Sequence, residues 1–152
     1  MTSATDTELV SLLRERGLRV TPQRIAIHRL LREQDRHLTA DQVRKAVDER
    51  LPGTTAPTVY ATLDLLAELG LVRRIDAGTG AALYDPRAEA HHHTVCRTCG
   101  RVEDLEARAA DAAGVMRAAA RHGFDPHQVE VVVSGLCSSC ALVERPHRAA
   151  AS

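Results

Sequence analysis

Two Cys-x-x-Cys pairs constrain this chain more than any other feature of its sequence. Cys96 and Cys99 form the first pair, Cys137 and Cys140 form the second, and the chain has no other cysteine. Four thiolates arranged in this way are typical of a tetrahedral zinc site. The long interval between the pairs predicts a structural zinc ion that ties the start of a segment to its end. The alternatives are two disulfide bonds, which need an export signal, and a thioredoxin-like redox pair, which needs a βαβ pattern.

The composition indicates an ordinary globular chain with few aromatic residues. Of its 152 residues, 44% are apolar and 26% are charged, which allows one domain or two small ones. Tyr60, Tyr84 and Phe124 are the only Tyr, Phe or Trp residues, so the core must be aliphatic. Basic and acidic residues balance, so the net charge gives no sign of nucleic-acid binding. Seven arginines between residues 14 and 36 indicate either a local basic patch or a solvated helix face.

The sequence lacks the marks of export and of a membrane span. No basic and apolar N-terminal stretch precedes a cleavage site, and no apolar run approaches the roughly 18 residues that a spanning helix needs. We therefore expect a cytoplasmic protein without a membrane partner. Its reducing surroundings favour metal over disulfides at the four cysteines.

The first half of the chain has the pattern of a winged helix-turn-helix. Apolar spacing, N-cap threonines and terminal glycines predict four helices, over residues 6–16, from Pro22, from Thr39 to Leu51 and over 55–69. Two short strands, 71–75 and 81–84, follow them and flank a glycine-containing turn. Helices, a sharp turn, a further helix and a hairpin in this order are typical of the winged fold.

The second half reads as a small domain that mixes strands with one helix. The segment 85–90 interrupts the regular pattern and is interpreted as a hinge. Beyond it we predict strands over 91–96, 101–105 and 129–134 and a helix over 107–122. The predicted fold class is α+β, with a winged-helix domain (1–84), the hinge (85–90), a small α/β domain (91–141) and a flexible tail (142–152).

In a winged helix, the exposed face of the second helix of the turn motif enters the major groove of DNA. That helix is the one over 55–69, and Tyr60 lies near its N-terminal end, where an aromatic ring can pack against thymine methyl groups. The alternative is a tyrosine that lies along the domain surface. Arginines beside the motif are candidates for phosphate contact, Arg74 among them. The predicted DNA-contacting residues are Pro57, Thr58, Tyr60, Arg19, Arg24 and Arg73.

The run of three histidines before the first cysteine pair divides between two faces. Side chains two residues apart on a strand share a face, so His91 and His93 point one way while His92 and Cys96 point the other. This parity predicts a second metal site that begins with His91 and His93 and is separate from the thiolates.

Five motifs together resemble the ferric uptake regulator family. They are Val-Thr-Pro-Gln-Arg (20–24), His-Leu-Thr-Ala (37–40), Thr-Val-Tyr-Ala-Thr-Leu (58–63), Leu-Gly-Leu-Val (69–72) and His-His-His-Thr-Val-Cys-Arg-Thr-Cys-Gly (91–100). The resemblance implies a dimeric metal-dependent repressor, not an enzyme, that binds a pseudo-palindromic operator on double-stranded DNA through its winged helix and dimerises through its C-terminal domain. The chain departs from the family pattern at Ala61, where the family usually has arginine.

The resemblance also implies the remaining ligands of the second site. They are His37, Asp85 and Asp104, which join His91 and His93 in binding a regulatory iron or manganese ion, with zinc or nickel as alternatives. A third site found in many relatives is not predicted, because Ala90 stands where a histidine is expected and His127 is out of register.

The aspartate at position 104 resembles the peroxide-sensing branch of the family. In that branch ferrous iron reacts with peroxide and a histidine ligand is oxidised, which would be His37 or His91 in this chain. The resemblance therefore implies a repressor in the oxidative stress response. The alternative is a reversible sensor of iron, zinc or nickel levels that controls metal homeostasis genes, in which Asp104 is merely a shorter carboxylate.

Overall fold

Two units make up the fold, an N-terminal unit of residues 1–88 and a C-terminal unit of residues 89–152. A computed structural model describes residues 4–78, 80–106 and 109–144. The elements of the N-terminal unit are α1 (Ala4–Glu15), α2 (Pro22–Gln34), β1 (Leu38–Thr39), α3 (Ala40–Arg50), α4 (Ala56–Glu68), β2 (Arg73–Ile75) and β3 (Leu83–Asp85). Those of the C-terminal unit are β4 (His92–Cys96), β5 (Val102–Leu105), α5 (Ala109–Arg121), β6 (Val132–Gly135) and α6 (Ser138–Glu144).

Threonine side chains fix where two of the N-terminal helices begin. The Oγ1 atom of Thr21 accepts a hydrogen bond from the backbone N–H of Arg24 at the start of α2. Thr39 and Gln42 form a reciprocal capping box at the start of α3, with distances of 3.2 and 2.8 Å. Both starts were predicted from the sequence and are confirmed. Thr55 precedes α4 without a side-chain bond to the helix backbone.

Aliphatic side chains from four helices fill the core of the N-terminal unit. Each helix contributes residues at helical spacing, which buries one face of it. The fully buried leucine, isoleucine and valine side chains are Leu9, Leu13, Ile27, Leu31, Val43, Val47, Val59, Leu63 and Leu66. Because α4 buries Val59, Leu63 and Leu66 in this core, its opposite face is held toward solvent.

A three-stranded sheet in the order β1-β3-β2 completes the N-terminal unit. Strands β2 and β3 form the predicted hairpin, with Arg74 opposite Tyr84. Strand β1 was not predicted, because two residues are too short to show a period, and it pairs with β3 through Leu38 and Tyr84. Asp85, placed in the hinge by the sequence, is the last residue of β3.

A second sheet, in the order β5-β4-β6, forms the centre of the C-terminal unit. Strand β4 is antiparallel to β5 and parallel to β6. The third predicted strand, over 129–134, is shorter than expected and shifted to Val132–Gly135. The predicted helix over 107–122 is confirmed from Ala109 to Arg121, while its first two residues lie outside the described residues.

Helix α6 corrects one expectation. It continues through Glu144, so residues 142–144 are helical although the sequence assigned them to a flexible tail. Leu142 and Val143 are both 73% exposed, so this helix buries no apolar face that periodicity could have revealed. The rest of the predicted tail, residues 145–152, lies outside the described residues. Within the part of the chain that is described, no helix is long and apolar enough to cross a membrane.

Candidate metal sites and DNA-binding surface

The four cysteine sulfur atoms converge on one point in the C-terminal unit. All four lie within 4.8 Å of one another, and the Sγ atoms of Cys99 and Cys137 are 3.8 Å apart. A tetrahedral zinc ion with Zn–S bonds of about 2.3 Å requires sulfur atoms separated by about 3.8 Å. A disulfide requires about 2.05 Å, and none of the cysteines forms one. The donors therefore fit a structural zinc ion better than a pair of disulfides.

Strand pairing brings the two cysteine pairs together. Cys96 ends β4 and lies opposite Gly135 of the parallel strand β6, which leads directly into Cys137. Between β4 and β5 the chain turns tightly, with Gly100 at φ 72° donating its N–H to the carbonyl of Cys96. The hydroxyl of Thr98 donates to Glu144 of α6 at 2.7 Å. Backbone and side-chain bonds thus hold both pairs around the metal position.

The four crowded thiols change one another's pKa values. Hydrogen bonds from the backbone at Cys137 and Cys99 lower the pKa of Cys96 to about 6. Hydrogen bonding to the neighbouring thiol of Cys137 raises the pKa of Cys140 to about 12. Cys96 is therefore readily ionised, whereas the neighbouring thiols oppose the ionisation of Cys140. A divalent cation removes that opposition, since all four thiolates then face a positive charge.

On the other face of β4, two imidazoles and a carboxylate form a second donor set. The Nε2 atom of His91 is 3.2 Å from Oδ1 of Asp104, and that of His93 is 3.9 Å from the same oxygen. Asp104 stands opposite His93 across the β4–β5 pairing, which explains the approach. His93 is fully buried and the other two side chains are mostly covered. Nitrogen and oxygen donors of this kind form a His/Asp metal site, separate from the thiolates as the strand parity predicted.

The N-terminal unit holds a histidine and carboxylate pair of its own. The Nε2 atom of His37 lies 3.2 Å from Oδ2 of Asp85, and both side chains are nearly buried. The other carboxylate oxygen of Asp85 accepts the backbone N–H of Arg87 at 2.8 Å. His37 precedes β1 and Asp85 ends β3, so the pairing of these strands places them side by side.

His92, the middle histidine of the run, has a structural role in the C-terminal unit. The Nδ1 atom of His92 accepts the backbone N–H of Val131 at 3.2 Å. Ala90 offers no donor, and His127 is 86% exposed beside Asp125. Within the described residues of this unit, His92 and His127 belong to no convergent donor group.

Exposed residues at helical spacing form a continuous face on α4. Pro57, Tyr60, Ala61, Asp64 and Glu68 are all solvent-exposed, and Tyr60 is 49% exposed. The neutral residues Pro57, Tyr60 and Ala61 lie toward the N-terminal end, while both acids lie toward the C-terminal end. Acidic side chains repel phosphates, so this distribution is compatible with the predicted entry of the N-terminal turns of α4 into a groove, which stays a prediction. Thr58 is only partly exposed, and its hydroxyl lies 3.0 Å from that of Thr55.

The arginines predicted to contact phosphate differ in their surroundings. Arg19 and Arg74 are exposed, whereas Arg24 and Arg73 are partly buried. The Arg24 guanidinium donates to the backbone carbonyl of Arg19, which supports the turn before α2. The Arg73 guanidinium donates to the carbonyl of Ala88 at 3.3 Å. The DNA-contacting roles of these residues remain predictions.

The model of the ferric uptake regulator family matches residues 15–134. A relative named ferric uptake regulation protein 1 from Mycolicibacterium fortuitum is 38% identical over 126 residues, covering 82% of this chain and 77% of its own. The peroxide operon regulator of Bacillus subtilis is 32% identical over 137 residues, covering 90% of this chain and 94% of its own.

Solved structures resemble the fold as well. The Campylobacter jejuni peroxide stress regulator superposes with a TM-score of 0.67 at 28% identity, over 87% of this chain and 98% of that one. A zinc uptake regulator complexed with zinc and DNA gives a TM-score of 0.65 at 27% identity, over 94% and 99%. The predicted α+β class, with a winged helix followed by a small mixed unit, is confirmed by these likenesses.

Proposed function

Because this chain belongs to the ferric uptake regulator family of metal-responsive transcription regulators, we propose that it is a peroxide-sensing repressor with a regulatory iron or manganese ion. Relatives that it matches across most of their length are transcription regulators and not enzymes. The proposal includes a homodimer that binds a pseudo-palindromic operator and acts in the cytoplasm, where the DNA is.

The observation that carries the proposal is the donor set of His91, His93 and Asp104. Two imidazoles and one carboxylate on neighbouring strands match the ligand class of non-haem ferrous iron centres, which leave further positions open. No sulfur donor belongs to this group, so it does not select soft metals. The chain's similarity to the peroxide operon regulator of Bacillus subtilis supports the same function.

We propose that His37 and Asp85 complete this site. Three protein donors leave coordination positions of a ferrous or manganese ion open, and the pair in the N-terminal unit supplies two more donors of the same nitrogen and oxygen class. Only residues 86–90 join the two sets along the chain. A metal ion bound by both sets would favour the conformers that bring them together, and so couple metal binding to the arrangement of two recognition helices.

The chemistry of the signal follows from the proposed ligands. Ferrous iron bound here would start cleavage of the peroxide O–O bond next to an imidazole by giving one electron, which it would regain from the ring. Overall, one oxygen atom of peroxide would leave as water and the other would be inserted into a C–H bond of His37 or His91, so the ring would supply both electrons and gain a C–O bond. An oxidised imidazole is a poorer ligand, so the site would hold its metal less tightly and the repressor would leave DNA.

Recognition of DNA is proposed to follow the exposed face of α4. Tyr60 and Pro57 lie at its N-terminal end, where base contacts are made in helix-turn-helix proteins. Ala61 is too short for the base contact that an arginine would make, so operator preference would depend more on Tyr60. A dimer places its two half-sites about 34 to 36 Å apart along the duplex.

The test is the mass of peptides after zinc-loaded protein receives ferrous iron without oxygen and then a small dose of peroxide. We expect one added oxygen on the peptide that contains His37 or His91. Loading manganese in place of iron should abolish the change. Unmodified histidines in protein that has bound iron would contradict peroxide sensing.

A reversible metal-level sensor is the second candidate. It is favoured by the similarity to ferric uptake regulation protein 1, at 38% identity the more similar of the two named relatives. In that case DNA binding should follow the concentration of one metal ion, and removal of the metal should restore the starting state without any change in peptide mass.

A further inference from the structure

The two histidines of the C-terminal donor set are held differently on the side away from Asp104. The Nδ1 atom of His91 lies 2.9 Å from the backbone carbonyl of Glu89. A carbonyl oxygen only accepts, so this contact requires a proton on Nδ1 and leaves Nε2 as the lone-pair donor. For His93 the corresponding neighbour is a side chain, since Oε1 of Glu130 lies 3.3 Å from its Nδ1 atom.

We propose that Glu130 is a positioning residue that keeps the proton of His93 on Nδ1 and turns Nε2 toward the metal. The inference rests on the proposed metal site and adds a residue that the family resemblance did not supply. Histidine ligands commonly donate their second N–H to a carboxylate, which fixes both the tautomer and the ring orientation. His93 is fully buried, so water does not provide this acceptor.

Glu130 acts through His93 and is not itself one of the converging donors. The donor atoms within 4.8 Å of one another include those of His91, His93 and Asp104 but none from Glu130. Asp104 faces the Nε2 side of the His93 ring, and Glu130 faces the Nδ1 side. The two carboxylates therefore have separate tasks, one at the metal and one behind the imidazole.

The backbone next to Glu130 is fixed against β4, which keeps the carboxylate in place. The carbonyl of Val131 accepts the N–H of His93 at 2.9 Å, and the N–H of Val131 donates to Nδ1 of His92 at 3.2 Å. These two bonds lock the residue that follows Glu130 to the same strand that carries His93. The backbone that carries Glu130 is thus positioned without a metal ion, and a carboxylate held there would lower the entropic cost of orienting the His93 ring.

The first test compares manganese affinity among full-length, zinc-loaded variants by competition with a fluorescent chelator. We expect Glu130→Ala to weaken Mn²⁺ binding by about 10- to 100-fold. Glu130→Gln should lose less, because its amide oxygen still accepts a hydrogen bond. The matched control is Glu103→Ala, which removes the same charge from a side chain that is 61% exposed on β5. Equal affinities for Glu130→Ala and Glu103→Ala would overturn the inference.

A second measurement works without the regulatory metal. Nitrogen-15 NMR of His93 in zinc-loaded protein should show the tautomer with the proton on Nδ1, and Glu130→Ala should shift the population toward Nε2–H. An unchanged tautomer would also overturn the inference. If Asp104→Ala bound manganese as tightly as wild type, the proposed metal site would be wrong, yet the NMR result would still decide the role of Glu130. Retained zinc shows that each variant is folded, and Glu130→Gln replaces any variant that loses it.

Discussion

The two units of this chain are stabilised by different means. The N-terminal unit buries a continuous cluster of leucine, isoleucine and valine side chains from four helices. Among the described residues of the C-terminal unit, only His93, Val95, Cys96 and Ala112 are buried, and two of these belong to metal sites. Hydrophobic burial is therefore extensive in the first unit, whereas the second buries little apolar surface within one chain and instead gathers two groups of metal-binding donors.

The C-terminal unit also leaves apolar side chains uncovered. Val132 and Val133 of β6 and Leu142 and Val143 of α6 are all exposed. Exposed valines and leucines on adjacent elements are characteristic of a surface that another chain covers. The proposed homodimer would therefore supply the apolar burial that this unit lacks within one chain.

Removal of the structural zinc should have the largest effect and should fall on one unit only. A strong chelator, or Cys99→Ser, is expected to unfold the C-terminal unit, because zinc in such sites contributes about 10 kcal/mol or more to folding. Tyr60 and Tyr84, the only tyrosines in a chain without tryptophan, both lie in the N-terminal unit. Tyrosine fluorescence should therefore stay native while circular dichroism loses part of its signal. Simultaneous loss of both signals would show that the two units unfold together.

A core substitution in α4 should destabilise the N-terminal unit and leave the C-terminal unit unchanged. Leu63 is fully buried among the N-terminal helices, so Leu63→Ala should lower the free energy of unfolding of that unit by about 2 to 5 kcal/mol. Denaturation followed by tyrosine fluorescence measures the loss. Zinc release, followed with a chromogenic chelator, should occur at the wild-type denaturant concentration. An equal shift in zinc release would show that the two units share one stability.

Breaking an ion pair between α1 and α2 should lower the free energy of unfolding by a smaller amount. Asp6 is buried and accepts from Nε of Arg29 at 3.0 and 2.9 Å, with a further bond from the same guanidinium. The Arg29 side chain is 47% exposed, so solvent screens the pair and can hydrate the guanidinium once its partner is gone. Asp6→Asn should cost about 1 to 2 kcal/mol in tyrosine-detected unfolding. A cost near that of Leu63→Ala would mean that this ion pair stabilises the unit as much as a core leucine does.

Acidification should weaken the N-terminal unit by a small amount through His28. Burial, and then the charge of Arg32, lower the pKa of His28 from its ordinary value of 6.5, while Asp6 and Glu8 act in the other direction. Below pH 6.5 the unfolded chain takes up a proton that the folded unit resists, so the free energy of unfolding falls as the pH drops. His28→Leu should flatten this dependence between pH 6.5 and the range where carboxylates titrate. An unaltered slope in the variant would assign the dependence to other groups.

The sequence predicted best where local rules decide the outcome. Thr21 and Thr39 define helix starts through bonds that span three residues, and the two-residue period of β4 separates His91 and His93 from the thiolates. The helix starts and the alternation of side chains along β4 depend on neighbouring residues alone. Both are found unchanged in the folded structure.

Prediction from the sequence missed elements that are short and contacts between residues that are far apart along the chain. Strand β1 has two residues and exists because β3 pairs with it, and α6 presents no buried face to reveal its period. Glu130 carries no motif of its own. Its place behind His93 results from the pairing of β4 with β6, residues far apart along the chain.

The most direct test of the central claim is hydrogen exchange during a manganese titration of zinc-loaded protein. If one regulatory ion binds donors from both units, amides near His37 and Asp85 should gain protection at the same Mn²⁺ concentration as amides of β4 and β5. Asp104→Ala should abolish both responses together. Protection confined to β4 and β5, with the N-terminal unit unchanged, would contradict a regulatory metal site built from the two units.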